Sequence, residues 1–500
     1  MALEFAQILT AQNFIIGYIG LLVGLVFGIV PGMTATMAIA VFLPLTYAYP
    51  LTTSMFLLLG MYVGGISGGL VPAILINIPG TPSSITTCFD GYPMTLRGES
   101  ERAMKIGITS SLVGGIFSLG CLALFTPPLA SFAINFSAVE KCLVILFAMT
   151  IIAALSKGNL LTGIFLGFLG VLVALMGTFD DNNKLRLVPY MFRKELIYGF
   201  ALLPVLIGLF ALGQMFEEAE GGMKDRVRAD TEALQKKGKK FSFMDFRDQK
   251  INLLRSSILG TLVGVMPGVG GSAACILSYS QAKTFSKTPE KFGTGHVEGI
   301  VASEAANNGL TGGALVPLLS MGIPGDSTTA VLVGAFALQG MQIGPLFIRE
   351  SPVLWHSILI ALLFCNIMMF VTMFFPIKYL AKIISIPRRR MYPVIIIMCV
   401  VGAYRASNGV MFDVASLVVF GIVGYVLTKL KLPITPFLIG FILGGDLEKH
   451  FVDALKGNDG NLAIFITRGP VCWGLWALII GSILYSIYSN RRTSKIRGAD

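Results

Sequence analysis

The chain has 500 residues, of which 54% are apolar and only 13% charged, whereas soluble domains are about a quarter charged. It cannot cover itself with enough polar surface for water, so it belongs in lipid. The net charge of +11 comes from bases clustered between apolar stretches, where the cytoplasmic excess of Lys and Arg in membrane proteins accounts for them without a nucleic-acid partner.

In chain order, residues 1–13 hold one acid and no base. They lack the basic start and the small-residue cleavage site of a signal peptide, so the first helix is expected to be retained. Apolar runs follow at residues 14–30, 106–125, 142–155, 199–216, 353–375, 410–427 and 469–488, near the roughly 17 to 25 residues that cross a bilayer as helix. These runs do not alternate as barrel strands do, and an open sheet edge is not tolerated in hydrocarbon. The fold class is therefore all-α: a polytopic, multi-pass integral membrane protein with about a dozen transmembrane or re-entrant helices. Cys88, Cys121, Cys142, Cys275, Cys365, Cys399 and Cys472 are scattered singly, and His296, His356 and His450 are isolated, so no metal site is expected. Trp355, Trp473 and Trp476 lie near predicted helix ends, where interfacial anchors sit.

Basic clusters at residues 97–105, 224–250, 283–291, 378–390, 429–431 and 491–497 are assigned to the cytoplasmic side, which leaves the turn 180–183 outside. The longest polar stretch divides the chain into an N-terminal half, residues 1–216, a cytoplasmic linker, 217–250, and a C-terminal half, 251–500.

The halves carry related motifs in the same order. Gly28-Ile29-Val30-Pro31-Gly32 matches Gly264-Val265-Met266-Pro267-Gly268, and each Pro-Gly pair interrupts an apolar run. The segment from Leu70 through Pro72, Ile78, Pro79 and Gly80 to Ser84 aligns without gaps to that from Leu315 through Pro317, Ile323, Pro324 and Gly325 to Thr329. Ordered recurrence of this kind points to duplication. The first motif of the second copy is flanked by bases on both sides, whereas residues 1–13 and 47–53 around that of the first copy hold none. The expected arrangement is an inverted repeat.

Proline removes a backbone donor and adjacent glycine lets the chain leave the helix, so each Pro-Gly pair should stop a helix at mid-membrane. Unpaired backbone groups are costly in hydrocarbon, so four matched breaks should line an enclosed or water-filled cavity. A helix restarting after a break points its positive end and free N–H groups inward, which suits an anion. The hydroxyls and backbone expected to bind it are Thr34, Thr36, Pro79, Gly80, Thr81, Ser83 and Ser84 from the first copy. The second copy supplies Gly270, Gly271, Ser272, Asn307, Asn308, Pro324, Gly325, Ser327, Thr328 and Thr329. Asp326 has the most apolar surroundings of any acid, and it is read either as the carrier of a coupling cation or as an N-cap of the restarted helix. Glu304 either lines the same cavity or lies in a cytoplasmic loop. No catalytic residue is expected, and with no Walker loop the energy must come from an ion gradient, with Na+ or H+ as coupling ion and no other cofactor.

At residues 28–36, 78–87, 204–213, 265–272 and 302–340 the sequence resembles the large membrane subunit of the tripartite tricarboxylate transporters, the TctA family. The resemblance covers essentially the full chain. It implies a permease of the bacterial cell inner membrane that works with a small membrane subunit and a periplasmic solute-binding protein and imports carboxylates such as citrate. It also implies that residues 79–83 and 324–327 line the solute path. The alternatives are a stand-alone secondary anion transporter, a passive channel, or a membrane-embedded enzyme. The last would need paired acid clusters, and Asp180-Asp181 and Glu217-Glu218 lie outside the apolar runs.

Overall fold

The computed structural model describes residues 6–155, 160–178, 185–220, 238–384, 388–406 and 410–497. The turn 180–183 and half of the linker 217–250, residues 221–237, lie outside the described residues. The chain is helical, with one two-stranded pairing of Gly177–Thr178 with Leu185–Arg186 among the described residues. Six of the described helices are long and apolar enough to cross a membrane.

Two compact units are present, one of residues 1–130 with 214–402, the other of 131–213 with 403–500. Each unit therefore draws one segment from either side of the polar linker. In the second unit, Leu166, Val205, Leu209, Phe420, Phe437 and Phe441 form a core. The helix Leu202–Ile207 continues there into a π-helical turn, Gly208–Leu212. The indole N–H groups of Trp473 and Trp476 donate to the carbonyls of Ile466 (2.6 Å) and Phe465 (2.9 Å), at the start of the helix Pro470–Arg497.

The first unit holds both copies of the duplicated module. In the first copy, α1 (Ala11–Ile29) is followed by a break, α2 (Ala35–Phe42), α3 (Leu51–Gly68), α4 (Leu70–Ile76), a second break, α5 (Ile85–Leu96) and α6 (Ser100–Ala133). In the second copy, α7 (Lys250–Val265), α8 (Gly270–Phe285), α9 (Val297–Met321), α10 (Ser327–Leu338) and α11 (Pro352–Phe374) repeat the order. Here α9 takes the place of α3 and α4.

Local chemistry explains each break. After α1 and α7 the Pro-Gly pair turns the chain through glycines in the left-handed region, Gly32 at φ +86° and Gly268 at φ +78°, a conformation that costs a residue with a Cβ more. The N–H of Met33 returns to the carbonyl of Val30 (3.1 Å), and that of Val269 to Met266 (3.5 Å). At the second break α4 ends on Asn77 (φ 56°) and α9 on Gly322 (φ 76°), both left-handed. The next N–H then reaches back six residues to the equivalent proline carbonyl, Ile78 to Pro72 (3.5 Å) and Ile323 to Pro317 (3.3 Å), one residue beyond the partner in a Schellman C-cap.

Packing follows the same correspondence. Gly24 and Gly28 of α1 lie against the backbone of Met61 and Gly65, and Gly260 and Gly264 of α7 lie against that of Ala306 and Leu310. Reciprocally, Gly64 and Gly68 meet Leu21 and Leu25, while Gly309 and Gly313 meet Ser257 and Thr261. Small residues at this spacing let helix backbones approach within a membrane. Each pair is the counterpart of the other under the alignment of the two motifs.

Candidate functional site

The four breaks pair across the copies. The segment Thr81–Ser84, entering α5, meets the start of α8: a Cβ placed on Gly271 would lie 2.8 Å from the Ser83 Cβ and 3.7 Å from Asn307 Oδ1. At the counterpart junction, the start of α10 meets the start of α2 through a 2.8 Å hydrogen bond between the hydroxyls of Thr36 and Thr328. Each copy's first break thus touches the other copy's second break, the reciprocity of a two-fold relation.

The restarted helices are capped in corresponding ways. The N–H of Thr81 donates to Ser84 Oγ (3.2 Å), and the N–H of Asp326 to Thr329 Oγ1 (2.9 Å). The N–H and hydroxyl of Thr329 both donate to Asp326 Oδ1 at 2.7 Å, a capping box of the kind that satisfies a helix start. The Tyr62 hydroxyl donates to Asp326 Oδ2 at 3.4 Å. Thr34 caps α2 by accepting from the N–H of Met37 (3.1 Å), whereas α8 begins behind Val269 with no side-chain cap. Gly80 and Gly325, each following its proline, tie the second breaks to backbone nearby. The N–H of Gly80 bonds to the Gly69 carbonyl (3.3 Å), and the carbonyl of Gly325 accepts from Gly268 (2.8 Å).

Glu304 lies within α9 and is fully buried, so the loop placement does not hold. The hydroxyls of Thr87 on α5 and Ser111 on α6 donate to its two carboxyl oxygens, at 2.5 and 3.0 Å. Asn308, one turn on, accepts from Ser67 at 2.7 Å, and its amide donates to the Glu304 carbonyl (3.4 Å). Asn307 donates to the Ile66 carbonyl at 3.4 Å, and its Oδ1 is buried without a partner. Among the described residues, no ion pair involves Glu304 or Asp326. Both are acids held by hydroxyl and backbone donors, Asp326 at 6% exposure.

Most of the predicted site residues therefore gather at the two junctions, with Asn308 next to Asn307 and Glu304 about a turn before it on α9. Ser327 and Ser272 occupy first turns of α10 and α8 and are half-buried. Several residues that complete the arrangement escaped sequence reasoning. Tyr62 and Ser111 sit in helices with no motif around them, and Thr87, at the end of the 78–87 segment, carries no sign of its partner. Gln214, beyond the π turn, donates to the carbonyl of Gly32 at the first break. Fully buried Asp90 is another: its Oδ1 accepts the N–H groups of Gly293, Gly295 and His296 at 2.9, 2.9 and 2.7 Å, and its Oδ2 accepts the Tyr279 hydroxyl at 2.8 Å. It ties the segment between α8 and α9 to α5.

Helix starts with hydroxyls and N–H groups have the chemistry to hold an anion without a fixed positive side chain. Fold and site define a multi-pass α-helical membrane protein whose duplicated broken helices enclose a polar junction, the architecture of a transporter. The chain belongs to the tripartite tricarboxylate transporter TctA family, whose model matches residues 14–439. It is thus a tricarboxylate-transporter component. It is 32% identical, over 99% of this chain and 97% of the relative, to an uncharacterised 52.8 kDa protein in the TAR-I ttuC' 3' region of Agrobacterium vitis. A second Agrobacterium vitis protein, in the TAR-II ttuC' 3' region, is 37% identical over 46% of this chain and 97% of its own length. No solved structure matches the chain.

Proposed function

We propose that this chain is the large permease subunit of a binding-protein-dependent, ion-gradient-driven transporter that imports tricarboxylates or related, citrate-like carboxylates. It would work in the bacterial inner membrane with a small membrane subunit and a periplasmic solute-binding protein. The observation that carries this reading is the reciprocal pairing of Pro-Gly breaks at Thr81–Ser84 with Gly270–Ser272 and at Thr34–Thr36 with Asp326–Thr329. It brings helix N-termini together in a chain of this family. The copies are proposed to be inverted across the membrane, as the flanking bases suggest. The coupling ion, Na+ or H+, is proposed to engage Glu304 or Asp326, since a carboxylate at membrane depth needs a cation or a proton.

The test is uptake of radiolabelled citrate and other carboxylates into proteoliposomes, with and without the two partner proteins, under separately imposed sodium and proton gradients. Accumulation that needs a gradient and both partners supports the proposal. Accumulation by the large subunit alone favours a stand-alone carrier, and no carboxylate uptake under any gradient overturns the reading.

A further inference from the structure

The two junctions correspond under the repeat, and they are chemically unequal. Under the alignment Thr81 stands where the second copy has Asp326, Asn307 where the first has Tyr62, and Gly270 where the first has Thr34. At the Asp326 junction the corresponding side chains have partners within the chain. The Asp326 carboxylate is held by Thr329 and Tyr62, Thr34 caps α2, and Thr36 is bonded to Thr328. Residues Thr36, Asp326, Thr328 and Thr329 are buried.

At the Thr81 junction Thr81 keeps its bonds to Ser83 and Ser84, but the positions corresponding to Thr34 and Tyr62 are left open. Gly270 adopts φ +73°, and a Cβ added there would meet nothing within 4 Å. The first turn of α8 lacks a side-chain cap, and residues 268–273 form a continuous half-exposed run. Asn307, only 1% exposed, holds an unpartnered Oδ1 3.7 Å from the Cβ position of Gly271, while its Nδ2 donates to the Ile66 carbonyl. A buried acceptor without a donor is costly, so this atom asks for a hydroxyl or similar donor from whatever enters the junction. The uncapped start of α8 asks for an anion.

We infer that solute occupies the Thr81–Gly271–Asn307 junction alone and is a hydroxycarboxylate. One carboxylate lies on the open N–H groups of α8, in the place that the Thr34 side chain fills for α2 at the other junction, and its hydroxyl donates to Asn307 Oδ1. The Asp326 junction is occupied by the protein's own carboxylate and acts as a fixed clasp between the copies. This inference rests on the carboxylate-transport reading above and adds to it which junction binds and which functional group is read.

The experiment uses the full chain in lipid nanodiscs, with citrate and its deoxy counterpart propane-1,2,3-tricarboxylate as probes, and reads the concentration dependence of ligand-induced thermal stabilisation. Uptake of the same probes is measured in the reconstituted complex. Wild type should bind citrate at least about tenfold more tightly than the deoxy compound, because a site built to pair with a hydroxyl rejects a ligand lacking it. Thr81→Asp, which supplies an internal carboxylate, should weaken citrate binding at least about tenfold, whereas the near-isosteric, neutral Thr81→Asn should keep it within a few-fold. Asn307→Leu should bring citrate down to the affinity of the deoxy compound. Equal binding of the two probes by wild type, or unchanged citrate binding by Thr81→Asp, overturns the inference even where carboxylate uptake persists. A Thr81→Asn variant as weak as Thr81→Asp also counts against it, because the charge would then not be the cause. If wild type takes up no carboxylate, the transport reading falls and this inference with it.

Discussion

Replacing Gly325 by alanine tests the packed pairing of the breaks, and the repeat provides its own control in Gly80→Ala. A Cβ on Gly325 would lie 2.6 Å from the Ala314 Cα, and one on Gly80 would lie 2.8 Å from the Gly69 Cα, the corresponding atom. Both would also press on the carbonyl of the first helix, Gly264 in one copy and Gly28 in the other. Non-bonded carbons prefer about 3.5 to 4.0 Å, so each methyl group is roughly 1 Å too close to backbone that cannot rotate away. Overpacking of this kind costs about 1 to 3 kcal/mol, and each substitution should lower stability by that order or more and by similar amounts. Gly445→Ala, where an added Cβ meets nothing within 4 Å, should be neutral or stabilising. Thermal unfolding in detergent, followed with the reconstituted uptake rate, reads all three. If Gly325→Ala is harmful and Gly80→Ala is tolerated, or if both match Gly445→Ala, the repeat-related packing is wrong.

Three other outcomes are expected. Glu304→Gln keeps an acceptor for Thr87 or Ser111 and removes the buried charge, so gradient-driven accumulation should be lost while solute exchange and melting temperature persist; accumulation unchanged from wild type removes Glu304 from coupling. Asp90→Ala strips a partner from three backbone N–H groups and the Tyr279 hydroxyl. It should cost at least about 1 to 3 kcal/mol and speed hydrogen exchange at Gly293, Gly295 and His296, and unchanged exchange there would show that the tie carries nothing. At Asp245, burial pushes the carboxyl up, but the two-pronged bond from Arg102 and the Ser242 N–H outweigh it and hold it below its usual value. Its contribution to stability is complete above the ordinary carboxylate range near 4 and is lost as pH falls through the lowered value. The stability difference between wild type and Asp245→Asn should therefore shrink on acidification below about pH 4 in melting curves, and a constant difference would refute this.

The duplication could be read in the sequence because its markers are Pro and Gly, whose backbone effects are local and survive divergence of their neighbours. Residues 70–84 and 315–329 align without gaps, and the alignment extends through Gly24, Gly64 and Gly68 to their counterparts in the packed helices. The cross-pairing of breaks is a contact between residues such as Thr36 and Thr328, separated by most of the chain, and no periodicity carries it. Tyr62, Thr87 and Ser111 were missed for the same reason, since a hydroxyl within a helix is singled out only when its partner is known. Asp90 escaped because its acceptors' donors are backbone N–H groups, which every sequence possesses. The two compact units interleave segments from both sides of the linker, a property of the long-range packing that composition along the chain does not encode.

The central claim, that carboxylate solute sits at the paired breaks, is tested most directly by labelling a single cysteine there. Ser272→Cys, in the half-exposed first turn of α8, is placed in an otherwise cysteine-free chain reconstituted with its partners and treated with a small thiol reagent with and without saturating citrate. The account predicts that citrate slows the labelling, while a cysteine at Leu161, exposed in the other compact unit, labels at the same rate in both conditions. An unchanged rate at Ser272→Cys in a preparation that still transports citrate would contradict it.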